Sequence, residues 1–286
     1  WEKHEKLADC AWGVTCTKAG VSHLRQLAPA GTKLRLLYHG LDTARFPDPG
    51  IRHSESNGGT AQQTVNLLSV GRAVPKKGFD VLLSALAALP AEFHWQWQHV
   101  GGGVGLRALK RAASDLGIDK QISWLGPQPQ ETVLSLYREN DLFILPSRIA
   151  AGGDRDGLPN VLMEAASQGL AIITTDLPGI AEFITADLHG LLIPPDDAQA
   201  LSDAIQRAGT RPGLRATLAN TAKTRVTQEF DHTDNIQPLI SLIEDVVGAH
   251  VFLDFSLLGS GLVFFHASTD SPIRSPKYAT IREMAL

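Results

Sequence analysis

Short apolar runs alternate with amphipathic segments along most of the chain. Apolar or β-branched runs bounded by Gly, Pro, Asn or Asp predict strands, and apolar positions at helical spacing predict helices. The predicted strands are 67–70, 93–100, 122–125, 142–145, 171–174 and 191–193, and the predicted helices include 79–89, 106–116, 132–138, 198–208, 213–228 and 233–247. This alternation predicts an α/β fold with a parallel, doubly wound sheet and right-handed crossovers.

The flanking segments suggest a division into domains. A strand at 11–17, a helix at 19–27 and a strand at 33–38 form one βαβ unit, so residues 1–47 are assigned to a separate domain. The segment 48–63 is polar and rich in Gly and Ser, which is typical of a linker, and 64–248 then forms the larger domain.

The tail at 249–286 matches neither pattern. Its apolar run at 251–265 is interrupted by Asp254 and by glycines, and it is shorter than the roughly 20 apolar residues that span a bilayer. It is either a pair of strands on the edge of the sheet or a sequence foreign to the domain. We assign it no function.

The stretch 141–182 contains the most informative loop. The strand at 142–145 leads into a loop rich in Gly and Asp, and ligands in open α/β sheets bind at such carboxyl ends of strands. A helix is predicted to begin near Leu158, with Pro159 at its first position, and to end at Gly169. Its free N–H groups and positive dipole end suit an anionic oxygen such as a phosphate.

Two carboxylates flank this helix start. Asp156 lies in the loop and Glu164 lies about one turn into the helix. An ionised carboxylate accepts hydrogen bonds only, so the pair favours a ligand that carries hydroxyl groups as well as phosphate, such as a nucleotide sugar. On spacing alone, ordinary dipole complementarity and turn chemistry are the favoured explanation of the two residues.

A basic turn, GRAVPKKGFD at 71–80, directly follows the first strand of the larger domain. Gly71 permits a sharp turn, and Arg72 and Lys77 bring two cations to the same sheet edge as the central loop. Together they could clamp a pyrophosphate, with the Arg forming forked hydrogen bonds. The alternative is a solvated basic turn, and this is the interpretation that we favour for Lys76.

Three further segments are weaker candidates. The glycines at 101–105 do not have the spacing of a dinucleotide fingerprint and predict a tight turn. Gly126 to Gln128 follow another strand at the same edge. Glu182 follows a Gly turn, where a helix-start carboxylate is an equally good explanation. The scattered histidines are predicted to be packed or solvated, and Trp95 and Trp97, two apart in a strand, to face the core.

Composition bounds the function classes. The 286 residues are 43% hydrophobic with a net charge of −4, which predicts one to two globular domains without a basic field for nucleic acid. Cys10 and Cys16 have no partners at metal-ligand spacing, so we expect no disulfide framework, no metal and a reducing cytoplasm. The sequence has no signal-peptide pattern, and the lack of an initiator Met suggests a fragment.

The motifs together resemble those of the retaining glycosyltransferases of family 4 (group 1). In that family's donor-site signature two acidic residues bracket seven others, as Asp156 and Glu164 do around Gly157, Leu158 and Pro159. The turn with Gly71, Arg72 and Lys77 resembles the family's diphosphate-binding turn, and HGLDTARFP at 39–47 resembles its interdomain hinge. The resemblance extends from about residue 8 to about residue 247.

The resemblance implies the GT-B fold, in which two Rossmann-like domains face each other across a cleft, with most of the amino-terminal domain missing here. It implies a glycosyltransferase that retains the anomeric configuration of a nucleotide-sugar donor. Asp156 would hold the transferred sugar and Glu164 the ribose hydroxyls, and no metal or other cofactor is expected. The wider donor-binding set comprises Gly71, Arg72, Lys77, Gly126, Gln128, Gly157, Leu158, Pro159, Asn160 and Glu182.

Two departures from the family pattern qualify this hypothesis. Asp156 stands where the family usually has Glu, and the half-domain that would contact the acceptor is mostly missing, so the chain alone could be inactive. The expected acceptor is a sugar, a lipid-linked sugar or a polysaccharide, with membrane contact at the inner face through the absent domain. The alternatives are a catalytically silent module that binds nucleotide sugars and a sugar-nucleotide epimerase.

Overall fold

A computed structural model of the chain describes Leu7, Cys10 and residues 12–50, 55–247 and 263–264. In chain order its strands and helices are β1 (Gly13–Thr15), α1 (Lys18–Leu27), β2 (Leu34–Leu36), β3 (Val65–Val70), α2 (Phe79–Ala87), β4 (Trp95–Val100), α3 (Leu106–Asp115), β5 (Ile122–Gly126), α4 (Gln130–Glu139), β6 (Leu142–Leu145), α5 (Asn160–Ser167), β7 (Ala171–Thr175), α6 (Pro178–Ala181), β8 (Leu191–Ile193), α7 (Ala198–Gly209), α8 (Pro212–Glu229), α9 (His232–Val247) and β9 (Val263–Phe264).

The chain divides into two compact units. The larger contains Leu41–Asp231, and the smaller combines residues 1–40 with residues 232–286. This division differs from the predicted domain boundaries, which placed the helix at 233–247 with the larger domain. Helical periodicity identifies an apolar face but does not identify its partner. In the structure Leu242 of α9 packs with Trp12 and Val14 in the smaller unit.

The larger unit is built on a six-stranded parallel sheet with the order β5-β4-β3-β6-β7-β8. The chain runs outward from β3 to β5, returns to place β6 beside β3, and continues outward to β8. This is the predicted doubly wound α/β sheet. Its strand order reverses between β3 and β6, where Leu67 pairs with Leu142. In such sheets ligands bind outside the carboxyl ends of the strands at this switch point.

The sheet is buried because helices cover it. Leu67, Leu68, Phe143 and Ile144 are fully buried, and so is Trp97, as its alternation in β4 predicted. Helix α7 begins with a side-chain cap, since the side chain of Asp197 accepts a hydrogen bond from the backbone N–H of Ala200 at 2.8 Å.

Helix α5, at the predicted anion site, begins slightly later than expected. Pro159 has an extended backbone, with ψ 121°, and occupies the position before the helix, so Asn160 is the first helical residue. The prediction that Pro159 is itself the first helical residue was therefore wrong by one position. Proline fixes φ but leaves ψ free, and both positions are compatible with its ring.

The smaller unit contains the predicted βαβ arrangement. Strands β1 and β2 pair in parallel on either side of α1 in the sequence, and β9 pairs antiparallel with β1. The two residues of β9 belong to the predicted tail, and the rest of that tail lies outside the described residues.

The described part of the predicted linker is ordered against the larger unit. Gly58 donates to the carbonyl of Gln63 at 2.8 Å and accepts from the N–H of His94 at 2.8 Å, and Arg215 donates to the carbonyl of Ser56 at 2.6 Å. Residues 51–54 of that segment lie outside the described residues. Among the described residues, none of the helices combines the length and apolar character that crossing a bilayer requires.

Candidate functional site

The turn after β3 and the loop after β6 lie against each other at the switch point. The N–H of Arg148 donates to the carbonyl of Lys76 at 2.9 Å, and the Arg148 Nε donates to the carbonyl of Pro75 at 2.8 Å. At Gly78 the backbone has a φ of 65°, and a Cβ there would lie 1.9 Å from the carbonyl oxygen of Pro146. Only glycine allows this close approach.

Between these two loops the structure brings basic and acidic side chains together. Lys77 Nζ lies 2.7 Å from Asp156 Oδ2, as the shared sheet edge predicted, and the Ser147 hydroxyl donates to the same oxygen at 3.2 Å. Lys76 Nζ lies 3.0 Å from Asp154 Oδ1 and 3.6 Å from Asp156 Oδ1. The prediction that Lys76 is a solvated turn residue was wrong, since its side chain is only 11% exposed.

Arg148, in the loop after β6, connects this group of charged side chains to two neighbouring elements. Its guanidinium pairs with Asp80 and, at 2.9 Å, with Asp196, so it connects the loop after β6 with α2 and with the turn after β8. The hydrogen bond with Asp80, followed by that with Asp196, raises the pKa of Arg148 against the opposing effect of burial. Sequence reasoning missed this residue because its partners lie 68 and 48 positions away.

Glu164, the second predicted carboxylate, is held from the protein interior. The hydroxyl of Tyr137, on α4, donates to Glu164 Oε2 at 3.0 Å, and Tyr137 is fully buried. Burial raises the pKa of Glu164, while the hydrogen bond from Tyr137 and the charge of Arg45 partly offset the increase. Burial and then the adjacent Glu164 charge raise the pKa of Tyr137, so its hydroxyl keeps its proton and acts as a donor.

Tyr137 and Arg45 were not among the predicted site residues. Arg45 lies in the segment that was predicted to be the interdomain hinge, and its guanidinium hydrogen bonds the side chain of Gln130 at the start of α4. For Tyr137 the sequence offered one signal, a tyrosine on the buried side of a helix. A buried phenol hydroxyl needs a hydrogen-bond partner. The sequence does not show which carboxylate is that partner.

The glycine-rich segment after β4 forms the predicted tight turn and supports the basic turn. Gly101 has a φ of 137°, and a Cβ there would lie 2.1 Å from the carbonyl oxygen of Gly71. Ala73 donates to the carbonyl of Gly102 at 2.7 Å and accepts from the N–H of Gly105 at 2.9 Å. The backbone from Gly71 to Ala73 is therefore fixed by its neighbour.

His99, one of the histidines that were predicted to be packed or solvated, is packed behind this turn. Its ring lies 4.8 Å from the ring of Phe79, 5.8 Å from Trp97 and 5.4 Å from Trp124, measured between centroids. It is fully buried, and burial lowers its pKa to about 4, an effect that the nearby backbone of Gly71 partly offsets. At neutral pH the ring is therefore uncharged.

The remaining residues of the basic turn and its neighbouring strand end lie at the same sheet edge. Arg72 is exposed, and its side chain forms no ion pair with any described residue. Gly126, with a φ of 68°, accepts from the N–H of Gly101 at 2.9 Å. The side-chain amide of Gln128 donates to the carbonyl of Leu125 at 2.6 Å, which holds it against its own loop.

The residues at the start of α5 present mainly their backbone. The side chains of Leu158 and Pro159 are buried, whereas Asn160 is exposed. The carbonyl of Gly157 lies so close to α6 that a Cβ at Gly179 would come within 2.3 Å of it. Gly157, which belongs to the loop, is therefore packed against α6.

Glu182 lies at the end of a helix. It follows the last residue of the short helix α6, and its carbonyl accepts from Arg225 Nη2 at 3.1 Å. The alternative explanation of Glu182 as a helix-start carboxylate was therefore wrong. Its side chain is half-buried, and its role as a donor contact stays a prediction.

Comparison with known proteins identifies the family. The model of the family described as "Glycosyl transferases group 1" matches residues 54–225. The amylovoran biosynthesis glycosyltransferase AmsK of Erwinia amylovora is 32% identical over 183 residues, which are 64% of this chain and 45% of AmsK. The chain spans about half the length of the curated relatives it matches.

Solved structures share the fold. Sucrose-phosphate synthase of Thermosynechococcus elongatus superposes with a TM-score of 0.73 at 22% identity, covering 85% of this chain and 61% of that one. HepE of Anabaena, solved in complex with UDP and glucose, gives 0.68 at 20% identity, covering 81% and 62%. These likenesses establish an α/β fold of the GT-B glycosyltransferase type. Together with the family match they show that this chain belongs to the group 1 glycosyltransferases.

Proposed function

We propose that the chain binds a nucleotide-sugar donor between the turn after β3 and the loop after β6. In this proposal the sugar is transferred to an acceptor with retention of anomeric configuration, in polysaccharide or glycolipid synthesis. The observation that carries the proposal is the contact of Lys77 with Asp156 at the switch point of the sheet, at 2.7 Å. A cation and a carboxylate at that position suit a ligand with both phosphate and hydroxyl groups.

Each group has a role that follows from its chemistry. Lys77 and Arg72 supply positive charge for the diphosphate, and the free N–H groups at the start of α5 add to it. Glu164 accepts hydrogen bonds from the ribose hydroxyls, and Asp156 accepts them from the transferred sugar. Departure of the nucleoside diphosphate creates negative charge, and preorganised cations stabilise that charge. The proposed mechanism needs no metal and no other cofactor.

The relatives support the substrate classes. AmsK carries the name of an amylovoran biosynthesis enzyme, and HepE was solved with UDP and glucose. We therefore propose a nucleoside diphosphate sugar as donor and a saccharide, free or lipid-linked, as acceptor. The part of the relatives that this chain does not span is proposed to provide most of the acceptor contacts.

Donor binding is tested by calorimetric titration of the chain with UDP-glucose, GDP-mannose and ADP-glucose. One of these donors is expected to bind, and Glu164→Gln is expected to weaken it about tenfold because hydrogen bonds to a charged group are lost. Asp203→Asn is the matched control, since this exposed carboxylate on α7 accepts a hydrogen bond from Gln199 of its own helix and lies outside the proposed site. Binding by none of the donors, or unchanged binding by Glu164→Gln, would overturn the proposal.

Retention is tested on the same chain with the donor that binds. Slow transfer of the sugar to water is followed by NMR, which resolves the anomer before it equilibrates in solution. Initial release of the α-anomer from an α-linked donor is expected. Release of the β-anomer would refute retention, and release of an epimerised sugar nucleotide would favour the epimerase alternative.

A further inference from the structure

Four charged side chains between the two loops form a neutral cluster, which comprises Lys76, Lys77, Asp154 and Asp156. The two carboxylate oxygens of Asp156 face different lysines, because Oδ2 lies 2.7 Å from Lys77 Nζ and Oδ1 lies 3.6 Å from Lys76 Nζ. The side chains of Lys77 and Asp156 are each 13% exposed. Asp156 is therefore largely screened from water and neutralised from two directions.

In the proposed function Lys77 and Asp156 contact different parts of the donor, so they cannot remain paired only with each other. Lys77 is required at the diphosphate, whereas Asp156 is required at the sugar hydroxyls as an ionised acceptor. A poorly solvated carboxylate that loses its counter-ion is unfavourable, and it tends to take up a proton or turn away. The Ser147 hydroxyl can hold Asp156 in place but cannot balance its charge.

Lys76 can meet this requirement because it is anchored independently of the donor. Its ammonium group is bonded to Asp154 at 3.0 Å, and its backbone carbonyl accepts from Arg148 at 2.9 Å. Arg148 is itself paired with Asp80 and Asp196. The two adjacent lysines thus differ in their carboxylate partners. The ammonium of Lys77 pairs with Asp156, whereas the ammonium of Lys76 pairs with both Asp154 and Asp156.

We infer that Lys76 is a positioning residue for the sugar-binding carboxylate. When the donor diphosphate takes the ammonium of Lys77, Lys76 becomes the counter-ion of Asp156 and keeps it ionised and directed at the sugar. The inference rests on the proposed function, and it assigns the two neighbouring lysines to different parts of the donor. Lys77 acts on the diphosphate, and Lys76 acts on the sugar through Asp156.

The test uses calorimetry on the full chain to compare the affinity for a sugar nucleotide with the affinity for the nucleoside diphosphate alone. UDP and UDP-glucose are titrated first, with GDP and GDP-mannose as the second pair and ADP and ADP-glucose as the third, and the pair that binds is used. The measured quantity is the ratio of the affinity for the sugar nucleotide to the affinity for the bare diphosphate. Lys76→Gln is expected to lower this ratio about tenfold while changing the affinity for the diphosphate less than twofold. Lys77→Gln is expected to weaken both ligands together.

Controls distinguish positioning from a general structural effect. Lys76→Arg keeps the charge and is expected to restore most of the ratio. Lys223→Gln removes a lysine of α8 from its ion pair with Asp48 and is expected to leave the ratio unchanged. In an Asp156→Asn background Lys76→Gln is expected to have no further effect on the ratio. A loss that persists in that background would overturn the inference.

Other outcomes are equally decisive. An unchanged ratio in Lys76→Gln, with donor binding intact in the unmodified chain, would refute the role of Lys76 and leave the proposed function standing. Absence of nucleotide binding to the unmodified chain would refute the proposed function itself. If Lys76→Gln does not fold, Asp154→Asn replaces it, because that carboxylate is 62% exposed. Because Asp154 anchors the Lys76 ammonium, Asp154→Asn is expected to lower the ratio without changing the affinity for the bare diphosphate, and an unchanged ratio would overturn the inference.

Discussion

The hydroxyl of Tyr137 donates a 3.0 Å hydrogen bond to Oε2 of Glu164, which joins a fully buried residue of α4 to the carboxylate near the start of α5. The Tyr137 ring is itself fixed against Phe143 of β6, at 5.7 Å between centroids. One oxygen of Glu164 is thus held by a rigid donor. A carboxylate oriented in this way loses little freedom when a ligand binds.

Replacement of Tyr137 by Phe is expected to weaken nucleotide binding. The ring volume is kept, so the core remains packed, but Glu164 loses a donor and the rotational constraint that comes with it. A hydrogen bond to a charged group contributes about 1.5–3 kcal/mol, and water can replace part of it, so we expect a three- to tenfold loss of affinity for the nucleoside diphosphate. Calorimetry measures the loss. Phe143→Leu, which alters the packing beside Tyr137 and keeps its hydroxyl, is the control.

The same contact predicts a pH dependence of binding. Burial raises the pKa of Glu164, and the Tyr137 hydrogen bond lowers it in part. Only the ionised carboxylate accepts hydrogen bonds on both oxygens, so affinity for the nucleotide is expected to fall as the pH drops through that raised pKa. In Tyr137→Phe the fall should begin at a higher pH. A midpoint that stays constant or moves to lower pH would contradict the assignment of Glu164.

How far the sequence anticipated the site depends on how local each signal is. Lys77 and Asp156 could be placed together because each follows a strand of the same parallel sheet, and the carboxyl ends of those strands share one edge. The side-chain direction of Lys76 was not predictable, because it depends on how the short 3₁₀ turn Pro75–Lys77 is seated against the loop after β6. Two adjacent lysines look identical in the sequence.

The other contacts that the sequence did not predict join residues that are far apart in the chain. Tyr137 and Glu164 are 27 residues apart, and neither pattern nor propensity joins a helix hydroxyl to one particular carboxylate. The apolar face of α9 was recognised, but its partner in the smaller unit was not. Periodicity shows which side of an element is buried, whereas tertiary packing decides what covers it.

Substitution of Gly101 by Ala is expected to destabilise the protein, because Gly101 packs against the backbone of the basic turn at Gly71. Its φ of 137° is unfavourable for any residue with a Cβ, and that atom would lie 2.1 Å from the Gly71 carbonyl oxygen. The strain and the clash together should cost about 2–4 kcal/mol of unfolding free energy. Urea denaturation measures the loss, with Gly213→Ala as the control because a Cβ there meets no other atom within 4 Å. Equal stabilities of the two variants would show that the turn adjusts freely.

The buried imidazole of His99 predicts an acid-sensitive stability. Its pKa of about 4 in the folded protein lies below the ordinary value of 6.5, because charging the ring inside an aromatic cage is unfavourable. Between these two values the unfolded chain binds more protons than the folded one, so the free energy of unfolding decreases as the pH falls from 6.5 towards 4. A shift of this size corresponds to about 3 kcal/mol at most, and the contribution is fully present above the unfolded value.

Urea denaturation at several pH values between 7 and 4.5 measures this effect. The variant His99→Phe fills the cage formed by Phe79, Trp97 and Trp124 with an uncharged ring, so its stability should fall less steeply with decreasing pH than that of the unmodified chain. His94→Gln, at an exposed position of the preceding segment, should retain the original slope. The slopes must be compared because carboxylates titrate over part of the same range. Identical slopes for His99→Phe and the unmodified chain would show that the ring is protonated without unfolding, which would require water to reach it behind the Gly71 turn.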